Sequence, residues 1–297
     1  MNDPRVAVSI VTRNRAPVLE RTLRELERLD PPPDEVLVYT DACTDDTSTM
    51  LARRFPGVRV FFDDVPRGSI HGRDRILREA TSEIVLSLDD DSHPIERNFI
   101  ARLRALHVEH PQAAVFAFPQ VTEEFPETLS GDVTSKSSIR QNVATFSDSG
   151  AAYWREAYLK LPGFVPEFVH AYEEPDYALQ CLASGWQVLM EPSLSVRHYY
   201  TEVNRHPLRT HLFHCRNEVW SVLLRAPWLL APPMILFRVL RQLQNAARQG
   251  GWAWIKKQPG WWWEAFRGAG VILRRRHAVS FEAYGRWLRL SRRVEAV

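Results

Sequence analysis

The chain has 297 residues, of which 45% are hydrophobic and 25% charged, enough apolar surface for a full core and too much for a disordered protein. Three widely separated cysteines, Cys43, Cys181 and Cys215, argue against a disulfide framework and against a zinc site, and predict a reducing, cytoplasmic setting. The net charge of +2 conceals a division: residues 201–297 carry 17 Lys or Arg against 5 Asp or Glu, whereas residues 1–200 carry 21 against 31.

The N-terminus lacks the long apolar segment of a signal peptide and begins almost at once with an apolar run at Val6–Thr12. A helical pattern follows over Val18–Leu29, then a strand at Glu35–Thr40, a helix at Thr47–Phe55, a strand at Val58–Phe62 and a helix around Arg73–Ala80. Such alternation predicts an α/β fold on a parallel sheet, with ligands bound beyond the carboxyl ends of the strands. No G-x-G-x-x-G follows the first strand and no G-x-x-x-x-G-K-[ST] occurs, which weakens dinucleotide and NTPase readings.

The next strand, in SEIVLSLDDDSHP, ends in three consecutive carboxylates, Asp89, Asp90 and Asp91. Neighbouring carboxylates repel, and a divalent cation such as Mg²⁺ or Mn²⁺ shared with phosphates relieves that repulsion. Alternation along an extended segment places Asp89 and Asp91 on one side and turns Asp90 away. The plainer alternative is a solvated acidic turn before the helix that follows Pro94. By the strand-end rule, Thr12–Asn14, Asp41 and the triplet converge on one crevice.

Residues 111–155 read as further strands and a polar loop, with Gly131 and Thr134–Ser138 as a candidate mobile segment. In FVHAYEEPDYALQCL, Glu173, Glu174 and Asp176 open a helix, with Pro175 suited to its first position. These acids either complement the helix dipole or include a general base. A single strand pattern in WQVLMEPSLSVRHYY then ends at His198, where a lone histidine is either packed in the fold or shares a metal or diphosphate site with the triplet.

With no internal repeat or linker, residues 1–205 read as one catalytic unit and residues 206–297 as a helical, basic region holding most of the tryptophans. Its longest uncharged run, Ala226–Phe237, is too short to span a bilayer. In GWAWIKKQPGWWWEAFRGAG, Trp252, Trp254, Trp261, Trp262 and Trp263 alternate with Lys256, Lys257 and Arg267. Trp favours the water–lipid boundary and cations are drawn to anionic headgroups, so peripheral attachment to the cytoplasmic membrane face ranks ahead of nucleic acid. The alternative is packing between amphipathic helices or a homodimer contact.

Four pieces in order, VSIVTRNR, VLVYTDACTDDT, LDDDSHP, and YEEPDYALQCLASGW with VRHYY, make the chain resemble a family-2 glycosyltransferase of bacterial type. The resemblance covers residues 6–200, and the Arg216–Asn217 pair is similar to the region after the catalytic domain. It implies a GT-A nucleotide-diphospho-sugar transferase fold, a Rossmann-like mixed sheet flanked by helices with a helical C-terminal extension. It also implies an inverting hexosyl- or deoxyhexosyltransferase that moves sugar from a nucleotide-diphosphate donor to a glycan or lipid-linked acceptor, with Mn²⁺ or Mg²⁺.

On the same basis Asp41 would read the nucleotide base and Asp89 the ribose, with Asp90, Thr12, Arg13, Asn14 and Arg73 near the donor. Asp91 would bind the metal, with His198 beside it. Glu174 would be the catalytic base, with Glu173 and Asp176 as alternative or supporting acids. The sequence departs from the family pattern at Thr40 and Cys43, at Asp74 in place of an Asn, and at Glu174 where Asp is commoner. The competing classes are a catalytically silent nucleotide-sugar-binding scaffold and a single-stranded nucleic-acid binder, the latter leaving the acidic crevice without a role.

Overall fold

A computed structural model describes residues 3–122, 139–199 and 206–294 of the chain. Strands β1 (Val6–Thr12), β2 (Glu35–Asp41), β3 (Arg59–Asp63) and β4 (Ile84–Asp89) are linked by helices α1 (Ala16–Leu26), α2 (Thr47–Arg54) and α3 (Ser69–Glu79). These four strands pair in parallel in the order β3-β2-β1-β4. β1 is buried along nearly its whole length, as expected of a parallel strand covered on both faces.

Beyond β4 the chain forms β5 (Ser92–Pro94), α4 (Phe99–Glu109), β6 (Ala113–Ala117), β7 (Gln120–Thr122), β8 (Gln141–Asn142) and β9 (Ala151–Trp154). Then come α5 (Arg155–Lys160), α6 (Glu173–Ala183), β10 (Gln187–Met190) and β11 (Val196–His198). The large sheet runs β3-β2-β1-β4-β9-β6-β10-β8 and a small one runs β5-β11-β7. β9 lies antiparallel between β4 and β6, so the sheet is mixed rather than parallel throughout. Periodicity cannot show such a four-residue insertion, because its direction is set by where the preceding loop returns the chain.

The single strand expected up to His198 is two strands in different sheets. β10 pairs with β6, the chain bends through Glu191–Leu194, and β11 joins β5. Pro175 stands third in α6, still within the first turn, where its missing N–H costs no intrahelical bond. Gly131 and Thr134–Ser138 lie outside the described residues.

Alternation sends Val6, Val8 and Ile10 of β1 to one face, with Leu19, Leu23, Leu51, Phe99 and Leu103 of α1, α2 and α4. Ala7 faces the other side, with Leu37, Ile76, Tyr153 and Tyr177. That second cluster continues into α7 (Pro207–Arg225) and α9 (Gln258–Arg274) through Cys215, Trp220, Trp261 and Ala265. Helix α8 (Ala231–Ile255) joins α7 to α9 in the chain, and α10 (Phe281–Val294) sets Tyr284 and Trp287 beside Leu179 and Leu182 of α6. The C-terminal helices therefore share apolar core with the sheet.

Candidate active site

β4 ends in the middle of the sheet, between β1 and β9, and delivers the Asp triplet to its carboxyl edge. The three carboxylates take different partners. Asp90, 3% exposed, accepts a hydrogen bond from Thr12 Oγ1 at 2.7 Å and pairs with Arg15 Nη1 at 2.8 Å. Asp91, 1% exposed, accepts from Arg15 Nη2 at 2.8 Å and faces His198 Nε2 at 3.1 Å. Asp89 is hydrogen bonded by Arg73 and lies 3.7 Å from the same His198 nitrogen. The alternation read from the sequence thus holds, with Asp89 and Asp91 facing His198 and Asp90 turned inward to Thr12.

His198 reaches this position because β11 pairs with β5 in a register that puts it opposite Ser92, directly after the triplet. Its Nδ1 lies 3.0 Å from Gln120 Oε1. The amide nitrogen of Gln120 is taken by Ser147 and Ser149, which turns its oxygen toward the ring and makes Nδ1 the donor. Nε2 then aims at Asp89 and Asp91, where the ring would serve as a ligand to a metal ion held with them. Burial pushes the Asp91 carboxyl up, but the ring and the Arg15 guanidinium outweigh it and hold the group below its ordinary value.

One ligand atom from each of Asp89, Asp91 and His198 lies within 4.8 Å of the others. Asp91 Oδ1 is buried and faces His198 Nε2 at 3.1 Å. Two hard carboxylates and an imidazole make a donor set suited to Mn²⁺ or Mg²⁺. The residues present therefore fit a divalent ion.

A second acidic group lies across Arg73. Carboxylate oxygens of Asp148, Glu173 and Glu174 also come within 4.8 Å of one another. Arg73 approaches Asp148 at 3.6 Å and Glu173 at 4.0 Å while it binds Asp89, so one buried guanidinium joins the two groups. Asp148 also accepts a hydrogen bond from Tyr153. Burial raises Asp148 against the pull of Arg73. Burial and the charge of Asp148 raise Glu173 to about 7, with Arg73 opposing. Burial, then Glu173 and Asp148, raise the partly exposed Glu174 well above the ordinary range. Three carboxyls beside one cation share protons rather than all ionise.

The backbone leading to Glu173 is unusual. Val169, Ala171 and Tyr172 have φ of 65°, 68° and 73°, a left-handed region that costs β-branched and bulky residues. α7 holds this loop in place. Fully buried Asn217 donates from Nδ2 to the carbonyls of Phe168, His170 and Ala171 at 3.0, 2.8 and 2.8 Å. Arg216 adds bonds to the carbonyls of Phe168 and Glu167. On its other side the loop meets Gly68, where a Cβ would come within 2.4 Å of the Val169 carbonyl oxygen.

Of the remaining residues singled out from the sequence, Asp41 accepts the backbone N–H groups of Arg67 at 2.7 Å and Gly68 at 3.1 Å. Arg13 stands 4.0 Å from Asp41, and Asn14, at φ 53°, accepts the Thr44 N–H at 2.7 Å. Asp74 is engaged by Arg78 at 3.0 Å and the Tyr158 hydroxyl at 2.7 Å. Asp176 does not join the other acids. It points to α7, where Arg225 and Ser221 bind it at 2.9 and 2.7 Å, and it also accepts from Gln180. Glu173 and Asp176 lie three apart, yet each faces a different buried arginine: Arg73 of α3 lies 4.0 Å from Glu173, and Arg225 of α7 binds Asp176.

Arg15, Asp148 and Gln120 are site residues that sequence reasoning passed over. Arg15 closes the first motif, so the motif itself was a signal. Asp148 and Gln120 lie in a stretch without periodicity, and their partners are distant in sequence.

A strand order of this kind, an Asp-rich strand end with a facing histidine and a second acid group opening a helix describe a GT-A glycosyltransferase. The sequence matches glycosyl transferase family 2 over residues 7–161, more than half of the chain, and the protein belongs to that family. No curated protein matches the sequence.

Among solved structures, the fold is similar to the mannosyltransferase PcManGT from Pyrobaculum calidifontis in complex with GDP-Man and Mn²⁺. The TM-score is 0.57 at 20% identity, over 93% of this chain and 84% of that one. It is similar also to S. aureus TarS 1–349 in complex with UDP-GlcNAc, with a TM-score of 0.60 at 16% identity over 89% and 81%. A third is GalNAc-T7 with UDP, GalNAc and Mn²⁺, with a TM-score of 0.62 at 14% identity, where 90% of this chain spans only 56% of that one.

Proposed function

We propose that this glycosyltransferase moves a sugar from a nucleotide-diphosphate donor to a hydroxyl of a glycan or lipid-linked acceptor, by one displacement that inverts the anomeric centre. The observation that carries this reading is the pair of acid groups on either side of Arg73, one surrounded by cations and the other left to hold protons. A divalent ion held by Asp91 and His198, with Asp89 near, would offset the charge that develops on the departing diphosphate. Arg15 bridges Asp90 and Asp91 and offsets their mutual repulsion, and Arg73 orients Asp89 toward the donor ribose. Asp41, with Arg13 and Asn14, lies on the nucleotide side.

Glu174 takes the proton of the acceptor hydroxyl as that oxygen attacks. Its raised pKa gives the carboxylate more affinity for the proton that a general base must accept. Glu173 contributes by its charge. Asp176 anchors α6 to α7 and carries no part of the chemistry.

The helical arm favours attachment to a membrane surface. Trp252 and Trp263 are 70% and 58% exposed, together with Leu236, Phe237, Leu240 and Phe266, and Lys256, Lys257 and Arg267 lie among them. Trp261 packs in the core instead. Among the described residues no helix is long and apolar enough to cross a membrane.

Calorimetric titration of UDP, dTDP and GDP, each with and without Mn²⁺, tests the donor site. Metal-dependent binding of one nucleotide, abolished by Asp91→Ala, is the expected result. Binding of none removes the reading, and binding without hydrolysis or transfer to any acceptor favours the silent scaffold.

A further inference from the structure

Helices α7, α8 and α9 meet around an open groove of about 330 Å³. Val219 and Leu223 of α7, Ile235 and Val239 of α8, and Trp261 and Ala269 of α9 line it, and among the described residues every lining side chain is apolar. The indole N–H of Trp261 donates to Gln258 Oε1 at 2.7 Å, so the polar atom of that ring is already engaged. Pockets for polar small molecules carry a few placed polar groups that fix orientation. This groove offers neither such groups nor partners for water, and so suits a hydrocarbon.

The rim is apolar as well. Trp262 and Phe266 of α9 line the groove and are exposed, and on α8 the exposed Leu236 and Leu240 each follow a lining residue. Charge then separates a lipid from a second copy of the chain as the occupant. Between residues 242 and 274 the sequence holds five Lys or Arg and one acid, Glu264. Glu264 pairs with Arg216 of α7 at 3.2 Å. Lys256, Lys257, Arg267 and Arg274 are exposed on α9 and the turn that precedes it. A two-fold contact through this face would set those cations against their own copies, whereas an anionic bilayer surface is complementary to them.

We propose that the groove is a lipid site, which takes one acyl chain of an anionic phospholipid while the head group stays at the basic surface outside. That the lipid comes from a bilayer rests on the membrane reading above; the chain site itself does not. Val219 and Leu223 flank Trp220 in α7, and the Trp220 ring lies 6.3 Å from Phe168, in the segment that leads to Glu173. One helix thus walls the lipid and holds the loop before the second acid group, which ties the orientation of the active site to the bilayer.

The test is calorimetric titration of dihexanoyl-phosphatidylglycerol, kept monomeric, into the full-length protein, beside glycerophosphoglycerol, the same molecule without chains. The lipid should bind and the chainless compound should not, with affinity rising about fourfold for each methylene added to the chain, as in dioctanoyl-phosphatidylglycerol. Ala269→Phe and Val239→Phe fill the groove from different walls while keeping it apolar, and each should weaken binding about tenfold. No binding of the lipid, equal binding of the chainless compound, or binding indifferent to both fillings overturns the proposal. So does equal affinity for dihexanoyl-phosphatidylcholine, or a dimer in sedimentation that filling abolishes. The comparison of lipid with chainless compound uses the wild type, so the proposal can fail even where a filling change unfolds the chain.

Flotation with phosphatidylglycerol vesicles reads the bilayer separately. Flotation of the wild type and both filled variants, beside absent binding of the monomeric lipid, counts against the groove alone. Binding of the monomeric lipid without flotation upholds the chain site and counts against the membrane reading.

Discussion

The two acid groups on either side of Arg73 are both built from packed carboxyl side chains, and their surroundings set Asp91 of the first apart from all three acids of the second. Asp89, Asp90 and Asp91 are met by Arg15, Arg73 and His198, and Asp91 is held below its ordinary value despite being almost fully buried. Asp148, Glu173 and Glu174 are as densely packed but have only part of one arginine between them, and all three are raised. Burial acts upward on every one of these groups for which a shift is seen, and only at Asp91, met by both Arg15 and His198, do the cations outweigh it. Asp91 is thereby kept anionic, fit for a metal ion, whereas inward-turned Asp90 is raised to about 7 by burial in spite of Arg15, and the second group is kept ready to accept a proton.

Asp91→Ala gives the strongest test of this contrast. Loss of a ligand to an ion that supplies several kcal/mol of charge stabilisation should lower kcat/KM by about 10⁴-fold and remove Mn²⁺-dependent nucleotide binding. Activity within tenfold of wild type would place the ion elsewhere. Glu174→Gln should cost about 10³-fold in kcat while nucleotide affinity stays as it was. If Glu173→Gln costs more than Glu174→Gln in the same transfer assay, the base is the neighbouring acid.

Asp176→Asn should separate structure from chemistry. It leaves Arg225, 1% exposed, without its charged partner, and should cost about 3–5 kcal/mol of stability in urea unfolding with kcat per folded molecule unchanged. A large loss of kcat at full foldedness would bring Asp176 back among the acids of the site. The smallest expected effect is on pH dependence. Glu174 works deprotonated, so kcat/KM rises with pH through its pKa, and the charge on Glu173 raises that pKa. Glu173→Gln should therefore move the acid limb of the profile to lower pH, and a shift to higher pH would refute the coupling.

Much of the nucleotide-binding half was legible because its signals are local. β1, β2 and β4 are apolar runs bounded by polar turns, and α1, α2 and α3 begin or end within a few residues of where periodicity places them. The placement of Thr12 beside the triplet follows from the rule that parallel strands open their loops at one edge, and Thr12 Oγ1 does reach Asp90. The division into β10 and β11 was not legible, because an apolar run interrupted by Glu191–Pro192 looks like one strand with a flaw until each half finds its own sheet.

By itself, then, the order of residues determined the α/β alternation, the acid-rich strand end and the uneven distribution of charge and tryptophan, since each is a property of neighbours along the chain. Tertiary structure alone decided which carboxylates hold charge and which hold protons. Arg15, Arg73, Asp148 and Gln120 come to the site from separate elements, and a carboxyl's pKa depends on what surrounds it in space. The same holds for Asn217, which stands more than forty residues beyond the left-handed loop that it binds, and for Trp261, buried beside the exposed Trp262 and Trp263.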